Sequence, residues 1–477
     1  MKKIRYAVFM AVILVSCKKL DENPVSVITQ EQSYKTQADA VAGVTAVYSE
    51  LTYDGSEQPM YGRHMNFLAD MTTDDLAAGA SAINPYVRAL SAVTYDASND
   101  RMQVAWRQFY VGFNRANVAI DKIPAISFDE TTRSRLVNEA KFLRALFYFN
   151  LVRLWGSVPL VLHNAVSVDI NSLKTNQSSA DDVYKQIIAD LTDAENLPAN
   201  YSGSDIGRAT SGAAKSLLVK VYLTRKDWAN TINKAKEVIN GSYGYALFDN
   251  YADVFNKSAK NGKEHIFSAQ FEANGGIGNS STLMGASFTG FAGKVPADVP
   301  ADNQVYNLFG ANDIRRSVTF YKSLINPATG IRTSFPANYF RKYVDTTVLS
   351  TPAQSSINFP VLRYADVLLM YAEAVNETSG PTTDAYNAIN QVRNRAKTGN
   401  LTTGLSQSAF RDSLYLERRK EFVQEAQRWF DLARTGRLVE AVSKVAAKTA
   451  VSNRNYLFPI PQSEISLNSN LKQNSGY

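Results

Sequence analysis

The chain has 477 residues, 45% of them hydrophobic, with 51 Lys and Arg against 44 Asp and Glu for a formal net charge of +7. That length can bury a large core in one large domain or two or three ordinary ones, and so modest a charge excess gives no argument for nucleic acid. One cysteine excludes an internal disulfide and a CxxC-type zinc site, and His64, His163 and His265 are too far apart for HExxH or HxH metal spacing.

The first element is an export signal. Lys2, Lys3 and Arg5 make a positive start, and residues 6–15 make an apolar run too short to span a bilayer as a helix. Leu14-Val15-Ser16-Cys17 fits a bacterial lipobox, so residues 1–16 read as a lipoprotein signal peptide and Cys17 as the lipidated residue. An ordinary signal peptide with an unrelated cysteine is the alternative. Cleavage before Cys17 removes three basic residues and no acidic one, leaving a net charge of +4. Residues 17–33 read as a polar, lipidated tether. No other stretch approaches transmembrane length.

The body reads as mainly helical. Residues 36–52 carry Ala38, Val41, Ala42, Thr45 and Val47 at helical spacing. Residues 101–122 predict a second helix ended by Pro124. Residues 131–155 predict a long third, with Phe142, Leu146, Phe149 and Val152 on one side and Gly156 and Pro159 as its stop. Residues 178–196 open with Ser and Asp suited to a first-turn cap. The stretch 211–240 reads as two helices broken near Arg225-Lys226-Asp227, with Ala213, Ala214, Ala229 and Ala235 where helices must approach closely. A similar unit recurs at 362–396. Helix–turn–helix units of about 34 residues are the tetratricopeptide pattern. These copies are degenerate, and an unrelated helical bundle fits them too.

Two regions break the helical reading. Residues 53–100 have weak periodicity, and residues 241–360 hold a glycine-rich run, several prolines and short β-like stretches. A structureless loop of that size inside a compact domain is improbable. The second region therefore reads as a mixed, loop-rich subdomain on the helical frame, the kind of place where binding residues sit.

Five ordered motifs carry a family resemblance: "NEAKFLRALFYFNLVRLWGSVPLV" (138–161), "NFPVLRYADVLLMYAEAVNE" (358–377), "AINQVRNRA" (388–396), "LERRKEFVQEAQRWFDLARTGRL" (416–438) and "YLFPIPQSEISLNSNLKQNSGY" (456–477). With them the chain resembles the SusD/RagB outer-membrane lipoproteins over nearly its whole length. Asn468-Ser469 stands where the family usually has Asn-Pro, and Gln424-Glu425-Ala426 where it has Phe-Glu-Gly. The resemblance implies a mainly α fold of tetratricopeptide-like helix pairs in an α-α superhelix, with an irregular, loop-rich ligand-binding subdomain. It divides the chain into the signal (1–16), the tether (17–33), an N-terminal helical region (34–240), the irregular subdomain (241–360) and a C-terminal helical region (361–477). It implies no enzyme and no cofactor. It implies a cell-surface protein, lipid-anchored in the outer membrane, that captures oligosaccharides, or in some members peptides, for a SusC-like TonB-dependent transporter. Asp21 and Glu22 resemble the surface-export signal of such lipoproteins.

Alternatives in chemistry are weighed from the residues. Glu417, Glu421 and Glu425 are four apart, as on one helix face, with Arg418, Arg428, Asp431 and Arg434 near in sequence. A glycoside-processing enzyme needs two carboxylates held across a cleft. Carboxylates stacked along one helix read instead as an ion-pairing network between helices, and Asp366 and Glu373 read the same way. The glycine-rich run 272–293 has no GxxxxGK[ST], and its GxSxxG is not a GxSxG nucleophile elbow.

The aromatic content is the better clue: 11% of residues, including 25 tyrosines. Sugar rings stack their C–H faces on aromatic planes and present hydroxyls to polar edges. Tyr86, Tyr95, Phe288, Phe291 and Tyr321 fall in the irregular regions, with Arg88, Asn99 and Asn279 as polar neighbours. These eight are the candidate ligand residues. Trp106, Trp155, Trp228 and Trp429 all fall in predicted helices, which argues against a starch-like tryptophan platform and leaves other glycans or peptides open.

Overall fold

Small polar residues start the helices. In the computed structural model, which describes residues 33–52, 59–79, 82–164, 169, 171, 173–273, 297–298, 305–325, 329–348 and 355–477, Thr36 caps α1 (Gln37–Ser49) and Asn84 caps α2 (Pro85–Ala92). Asn99, Asp129 and Ser179 cap α3 (Asp100–Lys122), α4 (Glu130–Trp155) and α5 (Ala180–Ala194). Thr210 and Asp227 cap α6 (Ser211–Thr224) and α7 (Trp228–Ile239). Each cap oxygen accepts from a first-turn N–H that the helix leaves unbonded. The C-terminal region adds α8 (Tyr364–Ser379), α9 (Thr383–Arg395), α10 (Gln407–Phe422) and α11 (Arg428–Arg434).

The helices stack as neighbouring pairs: α3 on α4, α4 on α5, α6 on α7, and α8 on both α7 and α9, with α1 laid across α3 and α4. The break read at 225–227 is the α6–α7 turn, where Lys226 takes a left-handed φ of 58°. Ala213, Ala214 and Ala235 are fully buried as expected, whereas Ala229 is exposed. Close approach is clearest at Gly112 of α3, where a Cβ would stand 2.7 Å from the Phe147 ring of α4.

The chain's end is part of the core. Asn474 Nδ2 donates to the carbonyls of Trp155 and Phe458, and Trp155 Nε1 donates to the Pro459 carbonyl at 2.9 Å. This returns the C-terminal signature onto the end of α4, where Gly156 stops the helix at a φ of 73°.

Strands carry the irregular parts. β1 (Ala77–Ala78) pairs antiparallel with β5 (Ala297–Asp298), and β2 (Val158–Pro159) with β3 (Gln177–Ser178). β4 (His265–Ala269) pairs with β8 (Phe359–Arg363), and β6 (Phe320–Ile325) with β7 (Arg332–Phe340). The β4–β8 pairing closes the mouth of the long excursion between α7 and α8, so the helical frame runs past it almost uninterrupted.

A buried ion network bolts that excursion to the frame. Arg363, at the end of β8, donates to Glu264, Glu421 and Glu425 at 2.6, 2.9 and 2.8 Å. Arg315 reaches Asp313, Glu417 and Glu421, Arg395 reaches Glu264 and Glu421, and Lys342 reaches Glu425. Burial raises the Glu421 carboxyl, but Arg395, Arg363 and Arg315 outweigh it and hold the group well below the ordinary carboxylate range. The pairing network read from the sequence is therefore present, with one correction. The helix ends at Phe422, and Gln424 and Ala426 take left-handed φ values of 66° and 53°. Glu425 thus leaves the face of Glu417 and Glu421 and meets Arg363 and Lys342 from a turn.

Candidate ligand-binding site

The two irregular regions meet. α2 packs beside β1, β1 pairs with β5, and β5 lies against β7 of the β6–β7 hairpin. The two regions are therefore neighbours, joined through the β1–β5 pair.

The first region is less irregular than its weak periodicity implies. Asn84 Oδ1 accepts from the Tyr86 and Val87 N–H groups and Pro85 occupies the first turn, so Tyr86 and Arg88 sit on a helix. Both side chains are exposed, Tyr86 by 37%. Asn99 is 2% exposed and structural: its Oδ1 caps α3 and its Nδ2 donates to the Tyr86 carbonyl at 3.0 Å, fixing the α2 backbone. Tyr95 is 1% exposed. Its ring stacks on Phe458 at 5.2 Å, and its hydroxyl accepts from Asn455 Nδ2. Tyr95 lies outside helix and strand as expected but is buried in the core, because the C-terminal signature folds over it. Cys17, Asn279, Phe288 and Phe291 lie outside the described residues.

Tyr321 stands at the hairpin. Its ring meets Phe335 edge-on at 5.4 Å and Tyr339 at 6.1 Å, in a small cluster separate from the main core. Burial, then Tyr339, push its phenol well above the ordinary range, so it stays an O–H donor. That oxygen is buried and has no hydrogen-bond partner among the described residues.

Beside it lies a cavity of about 410 Å³, lined by Tyr306, Asn312, Arg316, Tyr321, Lys322 and Asn338 among others. The Arg316 guanidinium stands 5.9 Å from the Tyr306 ring centroid. Asn312, Arg316 and Lys322 are exposed, and Tyr306 and Asn338 half-buried. Aromatic walls with a few polar groups at the rim are the make-up of a small-molecule cleft of ordinary size. Five of these six were missed from sequence. Their only local signal is "GANDIRRS" (310–317), a turn composition running into paired arginines.

The carboxylates weighed for hydrolysis are elsewhere. Glu417 and Glu421 are 0% exposed and locked to guanidiniums, not facing each other across a cleft. Among the described residues no group of three or more His, Cys, Asp or Glu is arranged to hold a metal. No helix among them is long and apolar enough to cross a membrane.

A family model described as the SusD family matches residues 326–477, and one described as starch-binding, associating with outer membrane, matches residues 20–223. The chain belongs to the SusD family. SusD-like protein P2 of Formosa agariphila is 29% identical over the full length of both chains. A SusD superfamily protein from Parabacteroides distasonis is 26% identical, with a TM-score of 0.81 over 92% of this chain and 99% of that one. A laminarin-binding SusD-like protein is 28% identical, with a TM-score of 0.76 over 93% of this chain and 100% of its own. These neighbours share the SusD superfamily's tetratricopeptide-like helical fold with this chain, as its motifs lead one to expect.

Proposed function

We propose that this SusD family member captures oligosaccharides at the cell surface and passes them to a partner TonB-dependent outer-membrane transporter. The observation that carries the reading is the cavity of about 410 Å³ at the β6–β7 hairpin, with Tyr306 and Tyr321 in its lining, and Tyr86 and Arg88 lie exposed on α2 of the other irregular region. Aromatic planes take the C–H faces of sugar rings, and Arg316, Asn312 and Asn338 take hydroxyls. The laminarin-binding relative supports laminarin as the first ligand to try. Lipidation at Cys17 would hold the protein in the outer membrane, facing outward. Capture here involves binding without bond cleavage.

Glycan arrays and calorimetry on the form lacking residues 1–17 test this. Binding of at least one oligosaccharide is expected, with the bound glycan recovered uncut. Tyr306→Ala should weaken it about tenfold, the scale of one lost aromatic contact of ~1.4 kcal/mol. No binding to any glycan, with no co-purifying transporter, would overturn the reading, and cleavage products would overturn its non-enzymatic part.

A further inference from the structure

The charges around the hairpin cavity do not balance. Among the described residues that line it, Asp313 is the one carboxylate, and it is already committed. It is 3% exposed and accepts from Arg315 Nε and Nη2 at 2.9 and 2.8 Å. Arg316 and Lys322 line the same cavity and are exposed, and neither makes an ion pair among the described residues. The Arg316 guanidinium stands by the lining ring of Tyr306. A third exposed cation, Arg341, follows β7, and it too has no carboxylate partner among the described residues. Its Nη1 donates at 3.2 Å to the carbonyl of Ser317, a lining residue. Its charge also reaches Tyr321: burial and then Tyr339 raise that phenol, and Arg341 draws it back.

A cavity of about 450 Å³ beside α10 and α11 shows the contrary arrangement. Five cations line it, and each has a carboxylate: Arg418 pairs with Asp366, Arg419 and Arg428 with Asp74, Arg437 with Asp412, and Lys444 with Glu440. Those charges close on one another. At the hairpin, three positive charges stay open to whatever enters.

A neutral ligand covering the hairpin cavity strips water from these cations and returns only hydroxyl oxygens. An anionic group returns charge-assisted hydrogen bonds, roughly twice as strong as neutral ones. A planar guanidinium can meet a carboxylate or a sulfate with two parallel bonds, and a lysine adds a point charge. The Tyr306 ring and the Asn312 and Asn338 amides remain for the C–H face and hydroxyls of the ring that bears the anion. We propose that the hairpin site selects acidic oligosaccharides, whose rings carry a carboxylate or a sulfate ester, with Arg316 and Lys322 setting that preference and Arg341 adding its charge from beside Ser317. This rests on the oligosaccharide reading above and names its ligand class. Exposed charges are screened over about 10 Å at 0.1 M salt and about 3 Å at 1 M, so the preference fades as salt rises, whereas binding of a neutral glycan does not.

The test is calorimetry on the chain lacking residues 1–17. The acidic probes are hexamers of galacturonate and of mannuronate and a κ-carrageenan hexasaccharide; the neutral probes are laminarihexaose, maltohexaose and cellohexaose. The tightest binder should come from the acidic set, and which probe it is separates carboxylate from sulfate. Its carboxyl-methylated or desulfated counterpart should bind about tenfold more weakly, and the gap should shrink with added sodium chloride. Arg316→Gln with Lys322→Gln should bring the acidic probe down to its uncharged counterpart and abolish the salt dependence, with Tm unchanged because both side chains are exposed. A salt-dependent preference that survives in this variant would overturn the residue assignment. A tightest binder from the neutral set would overturn the inference and leave the oligosaccharide reading standing, whereas no binding in either set would overturn both. A hexaglutamate peptide bound as tightly as the best sugar would overturn the saccharide part.

Discussion

Asp70 shows what one buried residue costs. Its Oδ2 accepts from Asn66 Nδ2 at 2.7 Å and from the Ala426 N–H at 3.0 Å, yet burial pushes the carboxyl up to about 8. Between the ordinary value near pH 4 and about pH 8, the folded state keeps a proton that the unfolded chain has released, so stability falls as pH rises through that window. Asp70→Asn removes this slope. Thermal melts should show variant and wild type close together near pH 4 and the variant increasingly favoured toward pH 8; parallel curves would contradict the assignment. Lys448 is the opposite case, a buried cation that stabilises. It is 0% exposed, and its Nζ donates to the carbonyls of Met71, Thr73 and Leu76 at 2.6, 2.5 and 2.5 Å. It thereby pins the turn that leads into β1 and α2. Lys448→Met strands those carbonyls and should lower the unfolding free energy by about 3 kcal/mol in chemical denaturation. Neither residue was legible in sequence. Asp70 is one aspartate among many, and Lys448 and its three acceptors lie more than 370 positions apart.

At the scale of elements, legibility followed local chemistry. The helices announced themselves through caps and a 3.6-residue period, and the α6–α7 and α8–α9 units through their recurrence. Asn84-Pro85 is a helix start by its composition alone, but eight residues are too few for a period, so α2 was hidden inside a region read as irregular. The break after Phe422 has neither Gly nor Pro to mark it, so Glu425 was placed on a helix it has left. Tyr86 was legible as an exposed ring beside Arg88, whereas Tyr95 and Asn99 were not legible as buried, because what covers and binds them comes from the far end of the chain and from α2. The Tyr306 cavity was hidden because it is made by tertiary closure. The same long-range logic governs Arg363, whose three carboxylates are 58 to 99 residues away. Arg363→Gln leaves Glu421 and Glu425 with an uncompensated share of buried charge and should cost about 3–5 kcal/mol. Amide hydrogen exchange should then rise first at 320–340 and only later in α3 and α4. Uniform loss of protection would mean that the excursion is not a separable layer.

The whole molecule divides its tasks along the chain. A rigid stack of helix pairs holds two irregular segments against each other, and the polar lead of residues 17–33 is expected to tie that stack to lipid at Cys17. A single acyl chain binds a bilayer only marginally, at ~0.8 kcal/mol per buried methylene, so firm anchorage needs several chains on one residue. No helix of the described residues supplies a substitute span. Cys17→Ser should therefore shift the protein out of the outer-membrane fraction while leaving glycan affinity of the purified chain unchanged, because the proposed ligand cavity is lined by residues 306–338, far along the chain. Fractionation of cells and calorimetry on the same variant check both halves. Retention in the membrane would mean that the anchor lies elsewhere, and lost affinity would mean that the tether reaches the ligand surface.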